Sequence, residues 1–411
     1  MIYSVSPWSA QPWSGNGQDL RAYFNLDFDL SASLTLKLYV ATCAGFATQP
    51  TDAIPNQPFN GTLKSLSFTQ SILGSEIGSF ATGAGTLTIS NDDGQYDFLP
   101  ESYSIDGRLI VLKVGRRDGP YDNFFPLARL TARDWNIDTS EIKVDLEDFS
   151  YKLEVPLQSN VYGGTGGADG GADLAGKRRP LAFGECKNVT AVFVNPSLLI
   201  YQVHDGSMQA IDAVYDKGAA LTPGVDYANY ALLAAASVAA GSYATCVAAG
   251  LFKLGQSAAG QITADVKGDK LDGYVPTTAD IVRWALRRRT VLADPADLDT
   301  ASFDTINSLQ PAPVCYFHGP DDNLTVSNFI QKLMRGIGGW GGHRFDGLFE
   351  VRRLQAPVGS PATTFTRAEM LGGDIQRDPL PEAYRPPRWR WRVPYGFNWA
   401  APTSDLALTV S

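Results

Sequence analysis

The sequence predicts an α+β fold that is mainly antiparallel β, with two β domains and a smaller helix-and-hairpin domain. Three observations predict it. Apolar and polar residues alternate at period two in many short runs, as half-buried strands require. Turn words such as Asn91-Asp92-Asp93-Gly94, Asp106-Gly107, Asp205-Gly206 and Lys217-Gly218 punctuate those runs, in a chain with 40 Gly and 25 Pro. Segments of helical period are few and gather late. At 411 residues the chain is also too long for one small core.

The elements follow in order. Residues 1–17 read as an N-terminal arm, with Trp8 and Trp13 among Ser, Pro and Gly and no signal-peptide pattern. Residues 18–158 read as the first β domain. Leu20, Ala22, Phe24, Leu26, Phe28 and Leu30 share one face, and Leu34, Leu36, Leu38 and Val40 repeat the pattern, which predicts a hairpin across Asp29 to Ser33. Further strands are expected at Leu63 to Phe68, Leu87 to Ile89, Leu109 to Val114 and Ile142 to Leu146.

Residues 159–179 carry seven glycines and read as a flexible loop without a core of its own, with Gly163, Gly166 and Gly170 as candidate interface positions. The stretch Gly171 to Lys177 has the GxxxxGK spacing of a phosphate-binding loop. That reading fails on chemistry: Arg178 stands where a Mg²⁺-binding Ser or Thr is needed, Pro180 spoils the following helix, and no apolar strand precedes it.

Residues 180–274 read as a second β-rich domain. Strands are expected from Leu198 to Val203, Ile211 to Tyr215, Ser242 to Ala248, Leu251 to Leu254 and Gly260 to Gly268, with one small-residue helix in Tyr230 to Ala240. Residues 275–379 read as the helix-and-hairpin domain. Thr277 or Thr278 caps a helix running to Leu292, with Asp280 in its first turn and Arg287-Arg288-Arg289 in its last, matching the helix dipole. Helices at Phe303 to Leu309 and Thr325 to Arg335 precede a hairpin, Gly341 to Phe345 and Leu348 to Leu354, across Asp346-Gly347. Residues 380–411 close the chain with a strand in which Trp389 and Trp391 share one face and Arg388, Arg390 and Arg392 the other. Arg388, Trp389, Arg390 and Trp391 are candidate interface residues.

Charge and chemistry narrow the function. The net charge of −9 argues against a general nucleic-acid-coating surface. No apolar run approaches the roughly 20 residues of a membrane span. Cys43, Cys186, Cys246 and Cys315 lie far apart without CxxC spacing and read as small buried hydrophobes rather than ligands. His204, His318 and His343 sit in no metalloprotease word, and His204-Asp205 reads as the polar end of a strand entering a turn. No catalytic, cofactor or metal residue is assigned. A cell-wall hydrolase and a host-surface polymer-binding module remain the alternatives, since folding could set carboxylates such as Asp92-Asp93, Glu147-Asp148 or Asp321-Asp322 across a cleft.

The ordered words PLAFG, LIYQVHDG, VYDKGAALTPGVDY, FKLG and GQITADVKG, all within residues 180–268, resemble the central segment of tail hub (baseplate hub) proteins of tailed phages and gene transfer agents. GTLTISNDDGQYD and DGRLIVLKVG resemble the first tube-like domain of that family. NFIQKLMRGIGGWGGHRFDGLFEVRRL resembles its second half, and PPRWRWRVPYGFNW its closing strand.

The resemblance implies two tail-tube-like β domains per chain and a homotrimer ring at the tail tip, three chains supplying six such domains to a six-fold tube. It implies a distal tail protein, a tail-tip or central fibre protein and a tape-measure protein as partners. DNA passes in transit without stable binding, and assembly takes place in the host cytoplasm. An acidic lumen would let DNA slide, with Asp92, Asp93, Glu147 and Asp148 as candidate lumen residues.

Overall fold

The computed structural model describes residues 36–42, 44–69, 83–116, 118–355, 396–400 and 406–407. The hairpin expected over residues 18–40 therefore lies mostly outside the described residues, as do Cys43, Arg388, Trp389, Arg390 and Trp391. The chain forms two units, each discontinuous in sequence. Unit 1 comprises Met1–Glu154, Leu292–Thr300 and Met334–Pro386; unit 2 comprises Val155–Val291, Ala301–Leu333 and Pro387–Ser411. The fold is mainly antiparallel β with few helices, as the alternation and turn signals predict.

In unit 1 a two-stranded pair, β1 (Phe46–Ala47) and β2 (Pro58–Phe59), precedes β3 (Leu63–Thr69) and β4 (Ala84–Ser90). A one-turn helix, α1 (Leu99–Ser102), leads to β5 (Leu109–Val114), β6 (Phe125–Ile137) and β7 (Glu141–Glu147). Strands β3 to β7 form one antiparallel sheet in the order β3-β4-β7-β6-β5. Its buried face carries Leu87, Ile89, Ile110, Leu112, Leu130, Val144 and Leu146. Strand β7 shows the clean alternation: Ile142, Val144 and Leu146 are buried, while Lys143 and Asp145 are exposed.

Strand β6, with 13 residues, is absent from the expected set. Its ladder with β7 shifts register between Ala132 and Asp134, and Leu130, Thr131 and Ala132 are buried in succession. Such a bulge breaks the period-two pattern by which a strand is recognised.

Unit 2 contains β8 (Leu181–Thr190), β9 (Val192–Asn195), β10 (Ile200–Gln202), β11 (Met208–Asp216), β12 (Ala219–Ala220) and β13 (Thr222–Asp226). After α2 (Tyr230–Ala235) come β14 (Ser242–Cys246), β15 (Leu251–Leu254) and β16 (Ile262–Asp269). Helices α3 (Thr278–Arg289) and α4 (Thr300–Leu309), strand β17 (Cys315–His318) and helix α5 (Val326–Gly336) follow. The strands form two five-stranded sheets, β12-β11-β16-β8-β17 and β13-β14-β15-β10-β9. All neighbours are antiparallel except β13 and β14, a parallel pair connected through α2.

One core cluster draws on both sheets, with Cys186, Val214, Ala264 and Val266 from the first and Tyr201, Tyr243 and Phe252 from the second. Phe193, Tyr201 and Phe252 stack in a row, with centroids 4.3 and 5.4 Å apart. Trp284 of α3 and Phe329 of α5 pack on Phe183 of β8, at 4.6 and 5.6 Å. Close approach of β17 to β8 needs a glycine. Gly184 has φ of 63°, and a Cβ there would lie 1.7 Å from the Val314 carbonyl oxygen.

Helix α3 starts as expected, with the Thr277 hydroxyl accepting from Asp280 N at 3.2 Å. It ends at Arg289, short of the expected Leu292, because Thr290 turns extended and its hydroxyl donates to Leu286 O at 2.6 Å. The expected hairpin is present in unit 1 as β18 (Gly339–His343) and β19 (Phe349–Arg353). The segment 275–379, expected as a domain by itself, is thus shared between the units, since α3 lays its apolar face on β8 while the hairpin belongs with unit 1.

Candidate functional site

The glycine-rich segment 159–179 is built around one carboxylate. Asp169 accepts from Gly163 N at 2.9 Å, from the Thr165 hydroxyl at 2.8 Å and from Arg179 Nη2 at 2.7 Å. These hydrogen bonds, the Gly163 amide foremost, hold its carboxyl below the usual carboxylate range. Left-handed glycines at 164, 166 and 170 bend the chain around it.

The segment is also anchored. Tyr162 is fully buried, its hydroxyl donates to Gln202 Oε1 at 2.6 Å, and Leu174 is buried in the same cluster. The expectation of a flexible loop without a core is therefore corrected: the glycines supply conformations, and Tyr162 and Leu174 supply the core. Gly163 and Gly166 are exposed, as an interface would need. Gly170 is buried, with room for no Cβ beside Leu174, so it serves the loop itself.

His204 is the second centre. Its ring is fully buried. Nδ1 accepts from Ala182 N at 3.0 Å, which leaves the ring proton on Nε2, facing Asp269 Oδ2 at 3.3 Å. Asp269 Oδ1 in turn accepts from Leu271 N at 3.1 Å. The pair His204–Asp269 is thus a brace between β8, the end of β10 and β16. Asp205, its sequence neighbour, points elsewhere and accepts from Gln158 Nε2 and Asn160 Nδ2 at 3.0 and 2.9 Å. His204 and Asp269 are 65 residues apart, and no local spacing marks the pair.

His318 and His343 are buried too, one in each unit. Burial pushes His318 down to about 4 and His343 down to about 3, so both rings are neutral at neutral pH. His318 Nδ1 lies 4.0 Å from Asp322 Oδ2. Among the described residues no three His, Cys, Asp or Glu side chains converge to hold a metal ion.

The four acidic candidates of unit 1 separate. Asp92 and Asp93 are exposed in a turn, where Asp92 pairs with Lys64 at 3.8 Å and Asp93 accepts from Gln95 N. Glu147 lines an open groove of 540 Å³ with Arg133, Asp145, Tyr151 and Glu154. Partial burial raises its pKa above the usual carboxylate range, against the nearby Arg133 charge. Asp148 is only 3% exposed: it accepts from Gly83 N at 2.7 Å and from Ser150 N at 2.9 Å, capping a 3-10 turn at Phe149–Leu153. Its expected place on a channel wall is corrected, because both carboxylate oxygens are spent on backbone amides inside unit 1.

No helix of the described residues is long and apolar enough to cross a membrane. No family profile matches the chain, and no curated protein matches it. Among solved structures, the chain is similar to a chain of "Virion of native gene transfer agent (GTA) particle", at 10% identity, over 66% of this chain and 86% of that chain, with a TM-score of 0.22.

Proposed function

We propose that the chain is a structural hub at the distal end of a phage or phage-like tail, a homotrimer ring that joins the tail tube to the tip and guides DNA and tape-measure protein. The observation that carries the reading is the ordered series of words between residues 180 and 268 that resembles tail hub proteins. Support comes from where those words fall. Each belongs to a strand or strand end of the two sheets of unit 2: β8, β10, the β11–β13 stretch, β15 and β16. The series therefore follows the framework of one folded body, not a set of surface loops.

In this reading the ring contacts a distal tail protein and a tail-tip or central fibre protein. Exposed Gly163 and Gly166 are interface candidates, together with Arg388, Trp389, Arg390 and Trp391. The acidic turn Asp92-Asp93 faces passing DNA without holding it, since each added Lys or Arg paired with phosphate would add affinity and drag.

The test is electron microscopy of particles from producing cells, labelled with antibody to this chain and averaged along the tail axis. The expected result is label at the distal tail end and three copies about the axis. Label on the head, or particles that lack the chain, would overturn the hub; six copies would overturn the trimer alone.

A further inference from the structure

We infer that Cys186 and Cys315 form a cross-strand dithiol that closes to an intramolecular disulfide when a small-molecule disulfide reaches Cys315. The inference rests on unit 2 alone and holds whatever the chain's role in a particle.

Cys315 opens β17 and lies opposite Gly184 of β8. Cys186 stands two residues beyond Gly184 on β8, where it pairs with Val266 of β16, and so lies diagonal to Cys315. Diagonal pairs in a regular ladder sit at the outer limit for bridging. Here Gly184, left-handed and without a Cβ, lets the β17 backbone come close enough that any side-chain carbon would overlap Val314 O. The Cys186 thiol reaches across: it lies 3.3 Å from Phe183 O and 3.4 Å from Tyr316 O, the carbonyl of the residue after Cys315. The two thiols are close enough to perturb each other's ionisation.

Their environments differ in the way a reactive pair requires. Cys186 is fully buried; Cys315 is half-buried, and Trp399 packs on the adjoining Tyr316 and Phe317 rings at 5.7 and 6.0 Å. The neighbouring Cys186 thiol pulls the Cys315 thiol down to about 7, while Cys315 and burial push Cys186 up. Cys315 is then the attacking thiolate near neutral pH, and Cys186 the resolving thiol. Cys246, the third described cysteine, is buried and its thiol is raised by burial, as befits an inert core residue.

The chemistry balances with glutathione disulfide as oxidant. The Cys315 thiolate attacks one sulfur of the reagent, the reagent's S–S bond breaks, and one glutathione leaves as a thiolate that takes a proton from water. The Cys186 thiol then loses its proton to water, and its sulfur attacks the Cys315 sulfur. The second glutathione leaves and is protonated. Two protein thiols are oxidised, and one glutathione disulfide is reduced to two thiols.

The experiment treats the reduced full-length chain with glutathione disulfide, blocks free thiols, and reads intact mass and a non-reducing peptide map. The expected result is the loss of two hydrogens and a linked peptide pair containing Cys186 and Cys315, both reversed by dithiothreitol. Cys315→Ser should give no link, and Cys186→Ser should stop at one glutathione on Cys315. Because a hydroxyl at buried position 186 could unfold the chain, the unsubstituted chain decides the matter by itself. Both thiols remaining free, separate glutathione adducts without a link, or a link through Cys43 or Cys246 would each overturn the inference.

Discussion

Unit 1 and unit 2 use the same kind of strand in different surroundings. The unit 1 sheet has one buried face, so β7 alternates between core and water. In unit 2, β16 runs at the centre of its sheet, and every residue except Lys267 is buried. A strand covered on both faces has no wet side to mark its period, so only its ends and its glycines carry a signal. The glycines differ accordingly. Gly184 in unit 2 sits where a neighbouring backbone leaves no room, whereas Gly107 in unit 1, φ 74°, has open space around it.

The largest expected effect tests that contrast directly. Gly184→Ala forces β17 away from β8 and should cost more than about 4 kcal/mol, in the class of exceptional single-site losses. Gly107→Ala pays only for the left-handed backbone, about 1 kcal/mol. Urea unfolding of the two variants measures both. Equal losses would break the distinction between a packing glycine and a turn glycine.

Next comes pH. Both buried histidines have folded pKa values below the ordinary 6.5, about 4 for His318 and about 3 for His343. The unfolded chain therefore takes up protons first as pH falls. Stability from the neutral rings is complete above pH 6.5 and declines below it, to about pH 4 for His318 and about pH 3 for His343. The His318 share is roughly 3 kcal/mol by pH 4. Hydrogen exchange at β16 and β7 amides separates the units: His318→Phe should flatten the β16 profile between pH 6.5 and 4, and His343→Phe that of β7.

A smaller loss, about 2 kcal/mol, is expected for Asp148→Ala, which leaves the buried amides of Gly83 and Ser150 without their acceptor. Melting of the variant at neutral pH reads it. If the loss were within error, Asp148 would be a surface group after all. The smallest effect is Thr277→Ala at the start of α3, about 1 kcal/mol, typical of a lost helix cap. Calorimetry should find it in unit 2 with β7 exchange unchanged.

How much was legible follows from the same physics. Strand β7, helix α3 with its Thr277 cap, and the β18–β19 hairpin across Asp346-Gly347 each obey a local rule and are present, though α3 ends three residues early and the first hairpin strand starts two residues earlier than expected. Strand β6 obeys none, because a bulge buries consecutive residues. Asp148 and Glu147 look like one acidic turn in sequence, yet the strand end sends Asp148 inward. The segment 159–179 looked coreless because seven of its residues lack side chains, while the two that matter, Tyr162 and Leu174, are ordinary hydrophobes. The partners of the buried polar groups, Asp269 for His204 and Cys315 for Cys186, are set by tertiary pairing over long separations. No periodicity reports that.

The discontinuity of the two units has a consequence for how the chain is made. Strand β8 pairs with β16 on one side and with β17 on the other, and Cys186 and Tyr316 across the second ladder are 130 residues apart. A ribosome adding residues at ~5–20 per second takes on the order of ten seconds to supply the missing strand. Until β17 emerges, the edge of β8 that it covers is unpaired, and an uncovered strand edge is a template for any other extended chain nearby.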